Sequence, residues 1–513
     1  MSESNAKAVE DLIGILSAID IKNADITSSN SGANGIDLKP LTQVVTLKDT
    51  LSQKIARQDG GVGPAALYNT IKGAAGGSVD GYVEEGKSGG QATFAGVQSG
   101  SYYKSVYTEI SVTDEARYAA EPQIDLLAGA TVRAMIECRR IQERRFLFGR
   151  STIAADAYAS GRLTTTADDS ARPAATTTPV LVSDNQGTIA NGTYSVIAVA
   201  LAGDAFWATK GYPVSAAAIF AATAGSELLP TAARANGDGT TTALKGGAAI
   251  KSAAASTGAI AATTNRITAT VAPMAGAVGY AWFVGTLGNE CYQGTTSTGK
   301  AAFTSLQTGT QVCAALFTVD NSAEPLAYDG LLTRMTKANS GAQLATVGNG
   351  LSLTADGQSG ITEFTNLFSN WAVTLDGYSP DWLMVSPLSQ KKINATIFGT
   401  STPTVQLIQS LSGEAEVTAG KRVAGLFNPI MGVSLPVIVN PYMPDGMALF
   451  GCDSIPTVVP SPNSRPLAFR ARRDYWTNLW ARTSRRQVPS VVVDGALTFE
   501  WLDGFGLVNN FAV

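Results

Sequence analysis

The strongest structural signal in this sequence is a long helix predicted over residues 114–149. Thr113 or Asp114 can cap its first turn, Pro122 interrupts or restarts it, and Gly149 is a plausible stop. Beyond the proline, small and apolar side chains recur at steps of three and four residues: Ile124, Leu127, Thr131, Ala134, Cys138 and Ile141. A helix of about 25 residues spans roughly 38 Å, which is long for a globular domain.

The sequence before this helix predicts segments with little core of their own. Residues 5–20 have the spacing of a short amphipathic helix, and residues 22–65, rich in Asn, Ser and Gly, are typical of an extended arm. Residues 73–100 carry too many glycines for a stable helix. The alternation in residues 101–114 predicts a strand, so the two stretches together indicate a projecting hairpin or loop.

Composition separates the middle of the chain from its ends. The 513 residues suggest three or four structural units of about 150 residues each, and only 15% of the residues are charged. Residues 180–320 contain 12 charged residues and several short alternating runs, at 192–203, 265–276, 278–286 and 300–306. This pattern predicts a small all-β sandwich inserted into another domain.

Residues 321–513 return to a mixed pattern of helices and strands. Helices are predicted at 362–375 and 388–397. Strands are predicted at 381–387, 435–441, 447–451 and 490–508. The two ends of the chain therefore indicate an α+β body that carries the β-rich middle.

The residue types exclude most catalytic chemistry. The chain has no histidine, which excludes Ser-His-Asp and Cys-His catalysis and histidine-ligated zinc. Cys291 and Cys313 are close enough in sequence to form a bridge, but free buried thiols fit better. Residues 81–88 match the phosphate-binding pattern G-x-x-x-x-G-K-[ST], but no strand precedes them and no helix follows. We predict no enzyme activity, no cofactor and no metal site.

Two groups of arginines are the candidate functional residues. One lies on the long helix, and the other runs from Arg465 to Arg486 with Asp474 as the opposing acid. Contacts between subunits are the favoured role, followed by salt bridges within the chain and then by contact with packaged nucleic acid. The candidates are Arg133, Arg139, Arg140, Arg144, Arg145, Arg470, Arg472, Arg473, Arg485 and Arg486.

The order of these elements resembles the major capsid proteins of tailed bacteriophages, which have the Hong Kong 97-type fold. The resemblance rests on the arm, the Gly-rich loop, a spine helix at 113–149, and stretches similar to the family's axial and peripheral domains at 379–393, 432–453, 469–487 and 491–501. The inserted stretches 192–203 and 276–286 resemble an immunoglobulin-like or fibronectin type III-like module. The strand order departs from such modules, because the Tyr-bearing strand comes first.

The resemblance implies an α+β fold with seven segments. These are 1–65, the N-terminal arm; 66–112, the extended loop; 113–179, the peripheral domain with the spine helix; 180–320, the inserted immunoglobulin-like sandwich; 321–350, the return to the peripheral domain; 351–464, the axial domain; and 465–513, the C-terminal peripheral strands.

The function implied by the resemblance is self-assembly. The expected product is an icosahedral shell of hexamers and pentamers around double-stranded DNA, assembled in the bacterial host cytoplasm and present in the virion. Separate scaffolding and portal proteins and non-specific DNA contacts are expected, and decoration proteins stay open. The sequence shows no signal peptide and no apolar stretch near 18 residues, so no membrane partner is predicted.

Three alternatives to a phage capsid protein stay open. A tail tube or sheath subunit would share the β-rich character but would not need the spine helix. A cellular encapsulating shell protein of the same fold would differ in its cargo. An adhesin or carbohydrate-binding protein built around the sandwich would predict a secretion signal, which the N-terminal residues do not show.

Overall fold

The computed structural model describes most of the chain from residue 50 onward. The described residues are 50–71, 96–120, 125–151, 177–183, 187–202, 205–206, 231–235, 240–245, 247–257, 265–271, 274, 277–296, 299–308, 312–314, 316–318, 320–324, 326–336, 340–347, 352–357, 360–375, 377–398, 408–409, 415–416, 423–456, 465–479, 484–509 and 511–512. The predicted N-terminal helix and the phosphate-motif residues 81–88 lie outside them.

Within these residues the helices are α1 (Thr50–Lys54), α2 (Asp114–Ala120), α3 (Leu126–Phe148), α4 (Leu331–Thr336), α5 (Thr362–Thr374) and α6 (Pro387–Phe398). The first strands are β1 (Ala56–Gln58), β2 (Ala65–Ile71), β3 (Gly96–Tyr102), β4 (Lys104–Glu109) and β5 (Val112–Thr113). The middle strands are β6 (Thr177–Ser183), β7 (Ser195–Leu201), β8 (Thr231–Ala235), β9 (Thr241–Lys245), β10 (Ala255–Ser256), β11 (Asn265–Thr270), β12 (Gly279–Gly285), β13 (Cys291–Thr296) and β14 (Lys300–Phe303). The last strands are β15 (Gln343–Thr346), β16 (Trp382–Val385), β17 (Ile408–Gln409), β18 (Ala415–Glu416), β19 (Gly425–Asn428), β20 (Val433–Val439), β21 (Ala448–Gly451), β22 (Leu467–Leu479), β23 (Arg486–Gln487), β24 (Pro489–Phe499) and β25 (Gly506–Asn509).

Helix α3 packs on a four-stranded sheet in the order β1–β22–β24–β4. Strands β22, β24 and β4 are antiparallel, and β1 lies parallel to β22. The helix meets the sheet through small, fully buried side chains, among them Ala130, Ala134 and Cys138. Because these side chains are short, the helix lies close to β4, and the Cys138 Sγ is 3.9 Å from the Val106 carbonyl oxygen.

The buried face of α3 differs from the predicted stripe. Ala134 and Cys138 are buried, but Leu127, Thr131 and Ile141 are only half-buried, and Ile124 lies outside the described residues. The predicted stripe was wrong at Leu127, Thr131 and Ile141, because the prediction placed apolar residues at three- and four-residue steps on the buried face. The buried line begins at Leu126 and advances by four residues through small and polar ones: Ala130, Ala134, Cys138 and Gln142. With 23 residues, α3 spans about 34 Å.

Gly149 ends α3 as predicted, but the reason is space and not backbone angle. Its φ of −49° suits any residue, whereas a Cβ at this position would lie 2.1 Å from the Tyr328 carbonyl oxygen. A Cβ at Gly330 would likewise lie 2.6 Å from the Gly149 nitrogen. The two backbones touch here, and the Gly330 N–H donates to the Gly149 carbonyl at 2.7 Å.

The chain leaves the body beside this glycine contact and rejoins it there. The Glu324 N–H donates to the Arg150 carbonyl at 2.8 Å, and the Ser151 N–H donates to Asp329 Oδ1 at 2.9 Å. Residues 151 and 324 are therefore neighbours in space, although a long segment of sequence separates them. Such a geometry accommodates an inserted segment without displacing α3.

Between these two points, two antiparallel sheets pack face to face. The sheet β10–β7–β12–β13 faces the sheet β14–β11–β6 across a core that includes Tyr280, Trp282 and Ile267. The other face of β7 and β12 is covered as well, and the Phe283 ring lies 5.5 Å from that of Phe317. Since both faces are covered, every residue of β7 is buried. The immunoglobulin-like topology and the segment boundaries stay predictions.

The C-terminal half forms a mixed six-stranded sheet in the order β15–β25–β21–β16–β20–β19. Helix α5 packs against it through three aromatic residues that surround Phe450, with ring centroids 5.2–5.9 Å apart: Phe364, Phe368 and Trp371. The helices predicted at 362–375 and 388–397 and the strands at 381–387, 435–441 and 447–451 are confirmed. Residues 490–508, predicted as one alternating stretch, form two strands, β24 and β25.

Strands β2 and β3 pair antiparallel and pack against β24. Ala66 and Tyr103 form a small cluster with Ala496 of β24. The Ile71 N–H donates to the Glu500 carbonyl at 2.8 Å, which fixes the end of β2. The base of the predicted hairpin is thus part of the body, and residues 72–95 connect its strands.

The glycine contact gives a prediction about stability. A Gly330→Ala substitution places a Cβ against backbone atoms of residues 147 and 149, which cannot rotate away, so we expect a loss of about 3 kcal/mol in the free energy of unfolding. Chemical denaturation measures this loss. Gly425→Ala is the control, because its Cβ would meet a Ser434 hydroxyl at 3.2 Å. Equal effects of the two substitutions would contradict the prediction.

Candidate functional site

The candidate site is the base of the β2–β3 hairpin, where two of the predicted arginines hold the hairpin to the body. Arg472 donates from Nε and Nη2 to Asp494 Oδ2 at 2.9 and 2.6 Å, and from Nη1 to the Gly63 carbonyl at 3.2 Å. Its guanidinium also lies 5.0 Å from the centre of the Tyr103 ring. One side chain therefore ties β22 to β24, to Tyr103 between β3 and β4, and to the loop before β2.

Arg470 holds the middle of strand β2. Its Nη1 donates to the Leu67 carbonyl at 3.0 Å, and its Nη2 donates to Gln58 Oε1 at 3.5 Å. Between Arg470 and Arg472, the Ala471 carbonyl accepts the Gly61 N–H at 3.0 Å. Three consecutive residues of β22 thus hold the chain that leads into the hairpin.

Close packing fixes the geometry of this base. A Cβ at Gly61 would lie 2.5 Å from the Tyr103 hydroxyl oxygen, so only glycine allows the loop this close to the ring. Burial raises the pKa of Tyr103, although the positive charges of Arg470 and Arg472 act in the opposite direction. The phenol therefore stays neutral at physiological pH and serves as a surface on which Arg472 lies.

The other predicted arginines do not join this group. On α3, Arg133 and Arg140 share Glu137 at 3.8 and 2.6 Å, and Arg139 is exposed. Arg144 donates to the Arg140 carbonyl at 3.5 Å. The remaining members have separate neighbours: Arg145 contacts the Leu326 carbonyl, Arg473 lies 4.0 Å from the Trp476 ring, Arg485 lies 3.9 Å from Glu115, and Arg486 belongs to β23. Their roles between subunits or toward DNA stay predictions.

Arg57 also attaches the N-terminal residues to the body, although it was not among the arginines predicted from the sequence. Its guanidinium lies between the rings of Phe469 and Tyr475, at 5.1 and 4.6 Å from their centres, and pairs with Asp474. Its Nη2 donates to Gln142 Oε1 at 2.6 Å. Residues 22–65 were predicted as an extended arm lying along the same chain or a neighbour, and the helix α1 and strand β1 that position Arg57 were not predicted within it.

An apolar turn between β19 and β20 was also missed. Phe427 is 61% exposed, and Ile430, Met431 and Val433 are about 40% exposed. The buried Asn428 shapes this turn, because its Oδ1 accepts the N–H groups of residues 430 and 431 and its Nδ2 donates to Ser379. The sequence signal was the absence of charge from residue 423 to residue 444.

The described residues hold no group of three His, Cys, Asp or Glu side chains that could bind a metal ion. All four cysteines are free. Burial raises the pKa of the Cys138 and Cys313 thiols to about 12, which keeps both of them protonated and unreactive at neutral pH. None of the described helices is long and apolar enough to cross a membrane.

Comparison with known proteins gives matches to solved structures only. No family model matches the chain, and no curated protein does. Among solved structures, the capsid of a native GTA particle is 9% identical over 97% of this chain and 98% of its own, with a TM-score of 0.41. A structure of Mycobacterium phage Bobi is 9% identical over 95% of this chain and 99% of its own, with a TM-score of 0.40.

The Synechococcus elongatus encapsulin complex is 15% identical over 36% of this chain, with a TM-score of 0.23. This chain spans 57% of the length of that encapsulin. The capsid of Myoviridae phage XM1 is also 9% identical, over 96% of this chain, with a TM-score of 0.36. These likenesses assign no residue a role.

Buried phenols make the stability of this protein sensitive to high pH. Burial raises the pKa of Tyr280 and Tyr475 to about 12, against about 10 in an unfolded chain. The folded state therefore holds these protons more tightly than the unfolded chain does. The contribution of the two phenols to the free energy of unfolding is fully present below about pH 10 and is lost as the pH rises toward 12. Denaturant midpoints, recorded with tyrosinate absorbance, should fall over this range. A Tyr280→Phe variant should show a shallower fall, and an unchanged slope would contradict the prediction.

Proposed function

We propose that this chain is the major capsid protein of a tailed double-stranded DNA bacteriophage. Its copies would form hexamers and pentamers that close into an icosahedral shell around the genome, first in the host cytoplasm and finally in the virion. Separate scaffolding and portal proteins would act as partners, and the exposed Arg139 and Arg485 are the candidates for contact with a neighbour or with DNA.

The observation that carries this proposal is the clamped base of the β2–β3 hairpin. A two-stranded hairpin is marginally stable alone, so it needs a surface to pack on. Arg470 and Arg472 supply that surface on the body side, and Leu67 of β2 stays 38% exposed on the other. A hairpin held rigidly at its base can reach a neighbouring copy in a fixed direction, as a shell subunit requires.

The apolar turn of β19 and β20 supports contact between copies. Exposed apolar side chains that lie together in a patch are typical of protein interfaces. The turn is free of charge from residue 423 to residue 444, so covering it with a second copy would not bury an unpaired ion. Residues in this turn would then form a contact that repeats around a ring or shell.

Assembly of the chain expressed alone, and with the scaffolding protein of its phage, tests the proposed function. We expect closed shells or rings of five or six subunits in negative-stain electron microscopy, with a matching mass by light scattering. Monomers of 53.1 kDa under both conditions would overturn the proposal. Shells that take up protein cargo and exclude DNA would favour a cellular encapsulating protein instead.

Arg472→Ala tests the hairpin clamp within this assembly. The change removes the pair with Asp494 and the bond to Gly63, so we expect free or irregular subunits in place of closed shells, with far-ultraviolet circular dichroism unchanged. Lys391→Ala, which removes an exposed positive charge from α6, is the control. Normal shells from Arg472→Ala would exclude a role of the clamp in assembly.

Phe427→Ser tests the apolar turn. The side chain is 61% exposed, so its loss should leave the stability of the subunit within about 0.5 kcal/mol of the original. Assembly should weaken, with a critical concentration raised at least about tenfold, as expected for an interface anchor. Val373→Ser, at a site that is 81% exposed on α5, is the control. Equal critical concentrations for the two variants would place the turn outside any interface.

A further inference from the structure

The most unusual side chain in the body is Glu143, a fully buried carboxylate on α3. Its Oε1 accepts the Leu51 N–H at 2.8 Å and the Asn440 Nδ2 at 3.0 Å. Its Oε2 accepts the Ser52 N–H at 2.9 Å and also the Ser52 hydroxyl. Each oxygen thus receives two hydrogen bonds, and all four donors are neutral groups.

These donors come from two distant parts of the chain. Leu51 and Ser52 form the first turn of α1, where N–H groups have no partner within the helix. Asn440 follows β20 and is fixed to the six-stranded sheet, since its N–H donates to the Val385 carbonyl at 2.9 Å and its Oδ1 accepts the Tyr442 N–H at 2.8 Å. Glu143 is therefore the point at which the N-terminal segment, the long helix and the six-stranded sheet meet.

The chemistry at this point specifies a carboxylate. Burial of a carboxylate is costly unless its oxygens are hydrogen-bonded, and here a glutamine would present an NH2 group to N–H donors. The shared Oε1 also means that Asn440 restricts the rotamer in which Glu143 can reach Leu51. A change at Asn440 should consequently be felt at residues 51 and 52, through the carboxylate.

We propose that Glu143 is a positioning residue that couples the N-terminal segment to the six-stranded sheet. Release of Asn440 from Oε1 loosens α1, and release of α1 loosens the turn that contains Asn440. The carboxylate thereby fixes the position of α1 on the body. This coupling through Glu143 is a property of a single subunit, so it does not depend on whether the subunits assemble into a shell.

Hydrogen exchange of the full-length chain tests this coupling, because the Leu51 and Ser52 amides are themselves the reporters. In Asn440→Ala we expect these two amides to exchange about tenfold faster, as for loss of a hydrogen bond to a charged group, while the β12 amides stay unchanged. The control is Asn370→Ala, at an exposed site on α5. Equal exchange at residues 51 and 52 in the two variants would overturn the proposal.

A double-mutant cycle keeps the test decisive if Asn440→Ala also lowers global stability. Ser52→Ala and Asn440→Ala remove one donor from each oxygen, and the unfolding equilibrium constant is measured for each variant and for the pair. A shared carboxylate predicts a coupling of at least about fivefold between the two changes. Independent, multiplicative effects would show that Glu143 fills space without coupling the segments.

Discussion

The close contact between α3 and its sheet is the interaction on which the other parts of the structure depend. Ala130, Ala134 and Cys138 have too little volume to hold the helix away from β4 and β24, so the two backbones approach each other. The other parts of the chain are attached to this helix and its sheet. The segment that holds β6–β14 leaves the body just after the end of the helix, and α1 attaches to the helix through the buried Glu143.

Charge in this protein is used to hold segments together within the chain. Arg57 attaches β1 to the body, because its guanidinium lies between the rings of Phe469 and Tyr475 and pairs with Asp474. Arg470 and Arg472 act from the body side, where they donate to the Leu67 and Gly63 carbonyls. A chain with few charges can place them this way because the guanidinium satisfies several acceptors at once. The surface that stays uncharged, such as the β19–β20 turn, is then free for apolar contact.

The sequence allowed a good prediction of elements and a poorer one of their contacts. Helices α5 and α6 and strands β16, β20 and β21 were predictable because their apolar spacing or continuous burial is regular. The buried face of α3 was not, because glycine, alanine and a buried Gln142–Glu143 pair form it, and burial of such residues depends on partners far away in sequence. The roles of Arg57 and Asn440 could not be predicted for the same reason, because their partners are far away in sequence.

For the arginines, proximity in sequence was misleading, since Arg472 and Arg473 have different neighbours.

The paired glycines at the end of α3 bear on how this protein can vary between relatives. At Gly149 and Gly330 the outgoing and returning backbones touch, so the chain leaves the body and re-enters it at adjoining points. A change in the length of the intervening segment can therefore leave these two points, and the helix with its sheet, in place. Relatives should accordingly differ in length between the two glycines and keep glycine at both positions.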